Sequence, residues 1–183
     1  MKKIILFLQL IFSIGMSAQT TVESVQVADM DEGAPICGKS IDLHKRILQA
    51  YNCDSTLIVF ACDTTKKGKN TDTGYLYSLD ANTLEVQWQK SLKLSLSKLY
   101  GVCSKGVLLS STLKSTGKSL LTLSDTKTGR SLWTQYLYPV YFNDSLDIVI
   151  GLEKVGGSKT YAYRLSTGML LWDAEIPMTK NVG

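Results

Sequence analysis

The chain has 183 residues, 20 Lys and Arg against 16 Asp and Glu, a formal net charge of +4 and 44% hydrophobic residues. This is enough chain for one domain, and a charge too weak and scattered to point to nucleic acid or an anionic membrane surface. The one histidine, His44, and four cysteines without paired short spacing argue against a histidine-based triad and a zinc site.

In chain order, residues 1–18 read as a secretory signal. Lys2 and Lys3 precede an apolar run from Ile4 to Ile14, broken only by Gln9, and Gly15-Met16-Ser17-Ala18 then suits cleavage after Ala18. The run falls short of the roughly 20 apolar residues of a membrane span; an uncleaved anchor is the alternative, and would be the chain's only membrane contact. No cysteine closes the run, so a lipid anchor is not expected. The predicted location is periplasmic or extracellular, and removing two lysines leaves a mature charge of +2.

Residues 19–46 carry Gly33, Pro35 and Gly38 and predict irregular structure or a partial blade. Asp29-Met30-Asp31-Glu32 lacks the pattern of a calcium loop and reads as a solvated segment. SIDLHKRIL, residues 40–48, could be a strand or a short helix, and strand is preferred.

From residue 47 the chain alternates short apolar runs with turn residues. ILQAYNC and TLIVFAC flank Asp54-Ser55, LYGVC and VLLSSTL flank Ser104-Lys105-Gly106, and YPVYF and LDIVIGL flank Asn143-Asp144. Each pair predicts two short strands. Loops over Thr64–Thr73, Lys114–Lys118 and Lys154–Ser158 follow, rich in Gly, Lys, Ser and Thr. Lys66-Lys67-Gly68-Lys69 reads as part of a solvated loop, and STGKS at 115–119 and GSK at 157–159 lack the spacing of a phosphate loop.

After each loop comes a segment that ends in tryptophan: LYSLDANTLEVQW, LTLSDTKTGRSLW and TYAYRLSTGMLLW. Trp88, Trp133 and Trp172 lie 45 and 39 residues apart, and Thr83, Thr128 and Thr167 each stand five residues before one of them. Asp80 and Asp125 coincide, with Arg164 in the third copy; Gly129 and Gly168 coincide, with Leu84 in the first. A period near 40 with tight turns is the mark of a propeller of four-stranded blades. Each segment predicts a β-hairpin whose Asp accepts turn amides and whose Gly supplies a positive φ. Leu84 must therefore use another geometry or bear strain.

The expected architecture is all-β: a partial propeller of about three four-stranded antiparallel blades, over residues 47–95, 97–137 and 138–176, followed by a tail at 177–183. Three blades do not close a ring, since propellers have about four to eight. The chain is accordingly read first as a piece of a longer protein, and otherwise as copies that complete a ring through open edges, or as an open arc.

The three segments resemble the repeat of quinoprotein-like propellers, also called PQQ-like or tryptophan-docking repeats, with a consensus close to L-Y-A-L-D-A-x-T-G-K-x-L-W. The first copy matches at Leu76, Tyr77, Leu79, Asp80, Ala81, Thr83 and Trp88. The second matches at Leu121, Asp125, Thr128, Gly129, Leu132 and Trp133, and the third at Tyr161, Ala162, Thr167, Gly168, Leu171 and Trp172. In that family the repeat serves both quinone-dependent periplasmic alcohol or sugar dehydrogenases and non-catalytic scaffolds, and the repeat positions are structural in both. The catalytic members add a calcium site of Glu, Asn and Asp, an Asp base and often a disulfide of adjacent cysteines, none of which this sequence matches.

The expectation is therefore an exported, non-catalytic binding or scaffold module for a protein or glycan partner. It has no catalytic or metal residue and no cofactor; PQQ and calcium enter only under the alternative, a fragment of a quinone-dependent dehydrogenase. No nucleic acid partner is expected. Cys37, Cys53, Cys62 and Cys103 could form up to two disulfides in three connectivities, or remain buried thiols. A Cys53–Cys62 bond is disfavoured because the hairpin puts the two at opposite ends. Tyr75–Tyr77 and Tyr161–Tyr163 each share a strand face, and are expected to pack between blades, or else to line a glycan or peptide surface.

Overall fold

The structure, a computed structural model, describes residues 22–28 and 36–175, with side chains from Lys39 onward. The signal segment, the acidic run at 29–32, the Cys37 side chain and the tail at 177–183 lie outside the described residues. Strands β1 (Val22–Ala28) and β2 (Ile36–Ile41) form an antiparallel pair. Three four-stranded antiparallel sheets follow. The first holds β3 (Arg46–Cys53), β4 (Thr56–Thr64), β5 (Asn70–Asp80) and β6 (Val86–Lys93), and the second β7 (Ser97–Cys103), β8 (Gly106–Thr112), β9 (Ser119–Ser124) and β10 (Ser131–Tyr136). The third holds β11 (Tyr138–Asn143), β12 (Ile148–Leu152), β13 (Lys159–Arg164) and β14 (Leu170–Glu175). Each sheet is a meander in sequence order, and the chain is an all-β, unclosed partial propeller of three blades. No helix among the described residues is long and apolar enough to cross a membrane, a statement that does not bear on β-barrels.

Burial explains why the inner strands read as almost continuous apolar runs. In TLIVFACDT, Ile58 to Cys62 are all buried, because β4 packs on both faces. The outermost strands β6 and β14 are largely exposed. One core layer joins blades one and two, where Ile58, Phe60 and Leu76 meet Leu99 and Val107. A second joins blades two and three, where Leu108, Leu121, Leu123 and Trp133 meet Val149 and Leu165. Tyr161 and Tyr163 pack against this second layer.

Two connections differ from expectation. Thr64 pairs with Asn70, so the first long loop shrinks to 65–69, with Gly68 at φ 73°. The stretch 40–48 is not one strand: it ends β2, bends through Asp42–Lys45 and enters β3. The bend forms because Asp42 accepts the His44 amide at 2.7 Å while His44 takes φ 51°. It lays Ile41 and Leu43 over Val59, Ala61, Tyr77 and Leu79 on the far face of blade one.

Polar contacts pin this cover. Lys45 Nζ donates to Asp63 at 2.6 Å and sits 4.7 Å above the Tyr75 ring, whose hydroxyl also donates to Asp63 at 2.8 Å. Lys39 Nζ reaches the Asn82 carbonyl at 2.9 Å. The Lys45 hydrogen bond, with help from Tyr75, holds the Asp63 carboxyl below the ordinary range and raises the lysine. Asp72 is lowered too, by the Ser95 amide at 2.6 Å and hydroxyl at 2.9 Å.

Lowered carboxyls stabilise the fold above the unfolded pKa, and that contribution is lost as pH falls through their folded values. With unfolded aspartate near 3.9, denaturant midpoints should be level from about pH 7 to 5 and fall below about pH 4. A midpoint at pH 3 equal to that at pH 7 would show that these contacts contribute nothing.

Candidate functional site

The three tryptophan hairpins share one turn geometry. Asp80 Oδ1 accepts the Asn82 and Thr83 amides at 2.8 and 2.9 Å. Asp125 Oδ1 accepts the Lys127 and Thr128 amides at 3.1 and 2.7 Å and the Thr128 hydroxyl at 2.8 Å. These bonds, the Thr83 amide first for Asp80 and the Thr128 hydroxyl first for Asp125, depress both carboxyls. Thr83, Thr128 and Thr167 Oγ1 each accept the amide two residues on, from Glu85, Arg130 and Met169. Leu84, Gly129 and Gly168 occupy one position, at φ 62°, 67° and 67°, and each donates its amide to the carbonyl four residues back. Of the two possibilities for Leu84, strain is the outcome: its left-handed backbone costs about 1–2 kcal/mol relative to glycine. In the third copy, where Arg164 cannot accept, Asp147 of the β11–β12 turn accepts the Ser166 amide and hydroxyl, both at 2.7 Å.

The tryptophans do not pack within their own hairpins. Trp88 Nε1 donates to the Thr126 carbonyl of the next blade at 2.8 Å, and Trp133 Nε1 donates to the Leu165 carbonyl at 2.8 Å. Each ring lies on the turn glycine of that next blade. A Cβ on Gly129 would come within 2.9 Å of Trp88 Cδ2, and one on Gly168 within 2.7 Å of Trp133 Cγ. Ser78 Oγ adds a bond to the Thr126 carbonyl at 2.7 Å, and Gln135 Nε2 one to the Gly168 carbonyl at 2.9 Å.

Register gives each blade an equivalent row on the face toward the following blade. It runs Tyr51, Ile58, Ser78, Trp88 in blade one and Gly101, Leu108, Leu123, Trp133 in blade two. In blade three it runs Tyr141, Ile150, Ala162, Trp172. Phe142 of blade three fills the space above Gly101, where a Cβ would meet its ring at 2.6 Å. The third row is open at its ends and closed at its centre: Trp172 is 44% and Tyr141 47% exposed, while Ala162 is buried; in the second row Trp133 is 9% exposed. Thr160, whose hydroxyl is buried without a partner among the described residues, stands on the same strand face, where the earlier blades carry Leu76 and Leu121. The sequence pattern marks Trp172, but the exposure of its face follows only from the packing.

The remaining candidates are structural. His44 lines a cleft of about 290 Å³ with Asp42, Leu43, Lys45, Tyr75, Tyr77, Val86 and Gln89. Its polar groups contact each other, with His44 Nδ1 2.9 Å from Asp42 and Lys45 on Asp63. No serine or cysteine lines the cleft. Cys53, Cys62 and Cys103 are unpaired, and burial pushes all three thiols up. Cys53 pairs with Thr56 and Cys62 with Arg46, at opposite ends of the β3–β4 hairpin. Tyr75 and Tyr77 lie 6.1 Å apart beneath the β2–β3 cover, not between blades, and also line the His44 cleft; Tyr161 and Tyr163 pack, part-buried, between blades two and three.

Among the described residues no three His, Cys, Asp or Glu stand together. Asp63, Asp72, Asp80, Asp125 and Asp147 are each engaged in a turn or clasp, and Asp144 accepts the Ser104 amide and hydroxyl at 2.7 and 2.8 Å.

No family model matches the chain, and no curated protein matches it. Solved structures do. A europium-containing methanol dehydrogenase is 14% identical over 69% of this chain and 31% of its own, with a TM-score of 0.43. BamB from Moraxella catarrhalis is 17% identical over 72% and 37%, with a TM-score of 0.39. The β-propeller domain of the Trilobed protease from Pyrococcus furiosus is 6% identical over 74% and 44%, with a TM-score of 0.46. The chain spans less than half the length of each.

The notch geometry sets opposite expectations for two substitutions at equivalent positions. Gly129→Ala forces a left-handed alanine against the Trp88 ring and should cost about 2–4 kcal/mol in denaturant unfolding. Leu84→Gly relieves strain, less the added entropy of unfolded glycine, and should gain about 0.5–1 kcal/mol. Equal losses at both sites would contradict this description.

Proposed function

We propose that the chain is an exported, non-catalytic binding or scaffold module, whose partner seats on the outer face of the third sheet. The observation that carries this reading is the half-exposure of Trp172 and Tyr141, whose counterparts in the first two blades pack, buried or part-buried, against a neighbouring blade. A tryptophan offers a large apolar face together with an N–H that needs an acceptor, the combination enriched in interface anchors. The engagement of the aspartates in turns and clasps supports the non-catalytic part, and the signal-like residues 1–18 support export.

A photo-crosslinking amino acid at Met169, 55% exposed and three residues before Trp172, tests the reading in producing cells. It should give a discrete macromolecular adduct that is lost when Trp172→Ala is added and is absent from a probe at Lys114, on a distant loop. No adduct, or the same adduct from both positions, would contradict the binding role. Dye-linked alcohol or sugar oxidation on addition of quinone and calcium would overturn the non-catalytic part.

A further inference from the structure

We propose that the end of the arc formed by the three long hairpin loops is an electrostatic docking surface for an anionic lipid bilayer. It is separate from the Trp172 face, and neither reading depends on the other. Charge that is spread through the sequence is gathered here by the topology. In an antiparallel meander the turn after the second strand lies at the opposite end of the sheet from the turns after the first and third. The loops 65–69, 113–118 and 153–158 therefore lie at one end of their sheets. That end is common to all three blades, because the short crossings between blades are bonded there. Leu94 donates its amide to the Asp72 carbonyl, Thr112 to that of Leu96, and Leu137 to that of Ser119.

The loops carry Lys66, Lys67, Lys69, Lys114, Lys118 and Lys154, all exposed. The ion pairs among the described residues involve other cations, His44, Lys45, Lys159 and Arg164. Glu153 is the one acid within the loops. The carboxylates nearby are engaged: Asp63 accepts from Lys45 and Tyr75, Asp72 from the Ser95 amide and hydroxyl, and Asp173 pairs with Lys159. Asp54, Asp80, Asp125, Asp144 and Asp147 stand at the opposite end, where Lys105, Lys127, Arg130 and Arg164 offset them. The small net charge thus conceals a basic end, which a total read from the sequence averages away.

The chemistry favours a lipid surface over a shaped anion. Every basic residue on these loops is Lys, a mobile point charge that suits diffuse negative charge, and not Arg, whose planar fork suits a defined phosphate or carboxylate. The tips are free of packing: a Cβ on Gly68, Gly117 or Gly156 would meet nothing within 4 Å. Apolar groups stand among the lysines. Val155, 70% exposed, follows Lys154 directly, and Tyr136, 60% exposed, has Lys118 Nζ 5.6 Å above its ring. A hydrated polyanion gains nothing from an exposed valine, whereas the headgroup boundary of a bilayer takes up apolar and tyrosine side chains beside lysine.

The test uses the chain recovered from the export fraction of producing cells, with vesicles of phosphatidylcholine alone or mixed with phosphatidylglycerol. The chain should sediment with the mixed vesicles at about 0.1 M salt and be released at about 1 M, where the Debye length falls to about 3 Å. Phosphatidylcholine alone should not bind it. Lys66→Gln, Lys67→Gln and Lys69→Gln together should weaken partitioning about tenfold or more, since each lysine near an anionic surface contributes about fivefold. Arg at the same positions should restore it. Lys105→Gln, Lys127→Gln and Arg130→Gln together, an equal charge change at the opposite end, should leave partitioning within about twofold, because that end lies beyond a Debye length of about 10 Å. Equal binding to both kinds of vesicle, or equal weakening by the two sets of substitutions, overturns the proposal. So does capture by a soluble acidic polysaccharide without binding to the mixed vesicles, which would make this end a polyanion site.

Discussion

The seat of a tryptophan ring on the turn glycine of the next sheet is the contact on which the arc depends. Backbone ladders close each four-stranded sheet but do not join one sheet to another. Between sheets the linkage is apolar packing, oriented by an indole N–H that finds one carbonyl, from Trp88 to Thr126 and from Trp133 to Leu165, with further side-chain bonds from Ser78, Gln135 and Ser104. A tryptophan side chain buries about 150–250 Å², worth roughly 4–6 kcal/mol at 25 cal/mol/Å² when fully removed from water. The hydrogen bond adds about 1 kcal/mol net and fixes direction. The glycine is required twice over, for its left-handed φ and for the absence of a Cβ beneath the ring.

That contact has a polarity, and it makes the two ends of the arc unlike. Each blade offers its turn to the blade before it and its tryptophan to the blade after it. On the first blade the turn side is closed by Leu84, by the β2–β3 bend and by the Lys45–Asp63–Tyr75 clasp. This is the behaviour of a capping unit in a repeat protein, where stability is a sum of nearest-neighbour terms and a terminal face needs its own cover. On the third blade the tryptophan side remains open among the described residues.

Much of the fold was legible in the sequence because its signals are local. Paired apolar runs around turn residues, and three tryptophans at fixed distance from Thr-Gly, specify hairpins whose register the ladders follow. The joints were not legible, because they connect residues 32 and 38 apart, and nothing in the spacing says that a tryptophan meets the next glycine and not its own. Leu84 stood out as an exception, but its meaning depends on knowing that the position is a seat for an indole. The substitution of Asp147 for the missing turn aspartate at Arg164 was equally hidden, since it comes from a neighbouring hairpin of the same blade. The clasp of Lys45 on Asp63 joins residues that no motif relates.

The most direct measurement is a double-mutant cycle across one joint, Trp133→Ala with Gly168→Ala, followed by denaturant unfolding. If the indole occupies the space of the missing Cβ, removing the ring makes room for the added methyl group, and the glycine substitution costs only its backbone strain. The expected coupling is about 1 kcal/mol or more, with the double variant less destabilised than the two single losses combined. Additivity within about 0.3–0.5 kcal/mol would mean that ring and glycine act independently, and would contradict the joint as the element that holds the blades together.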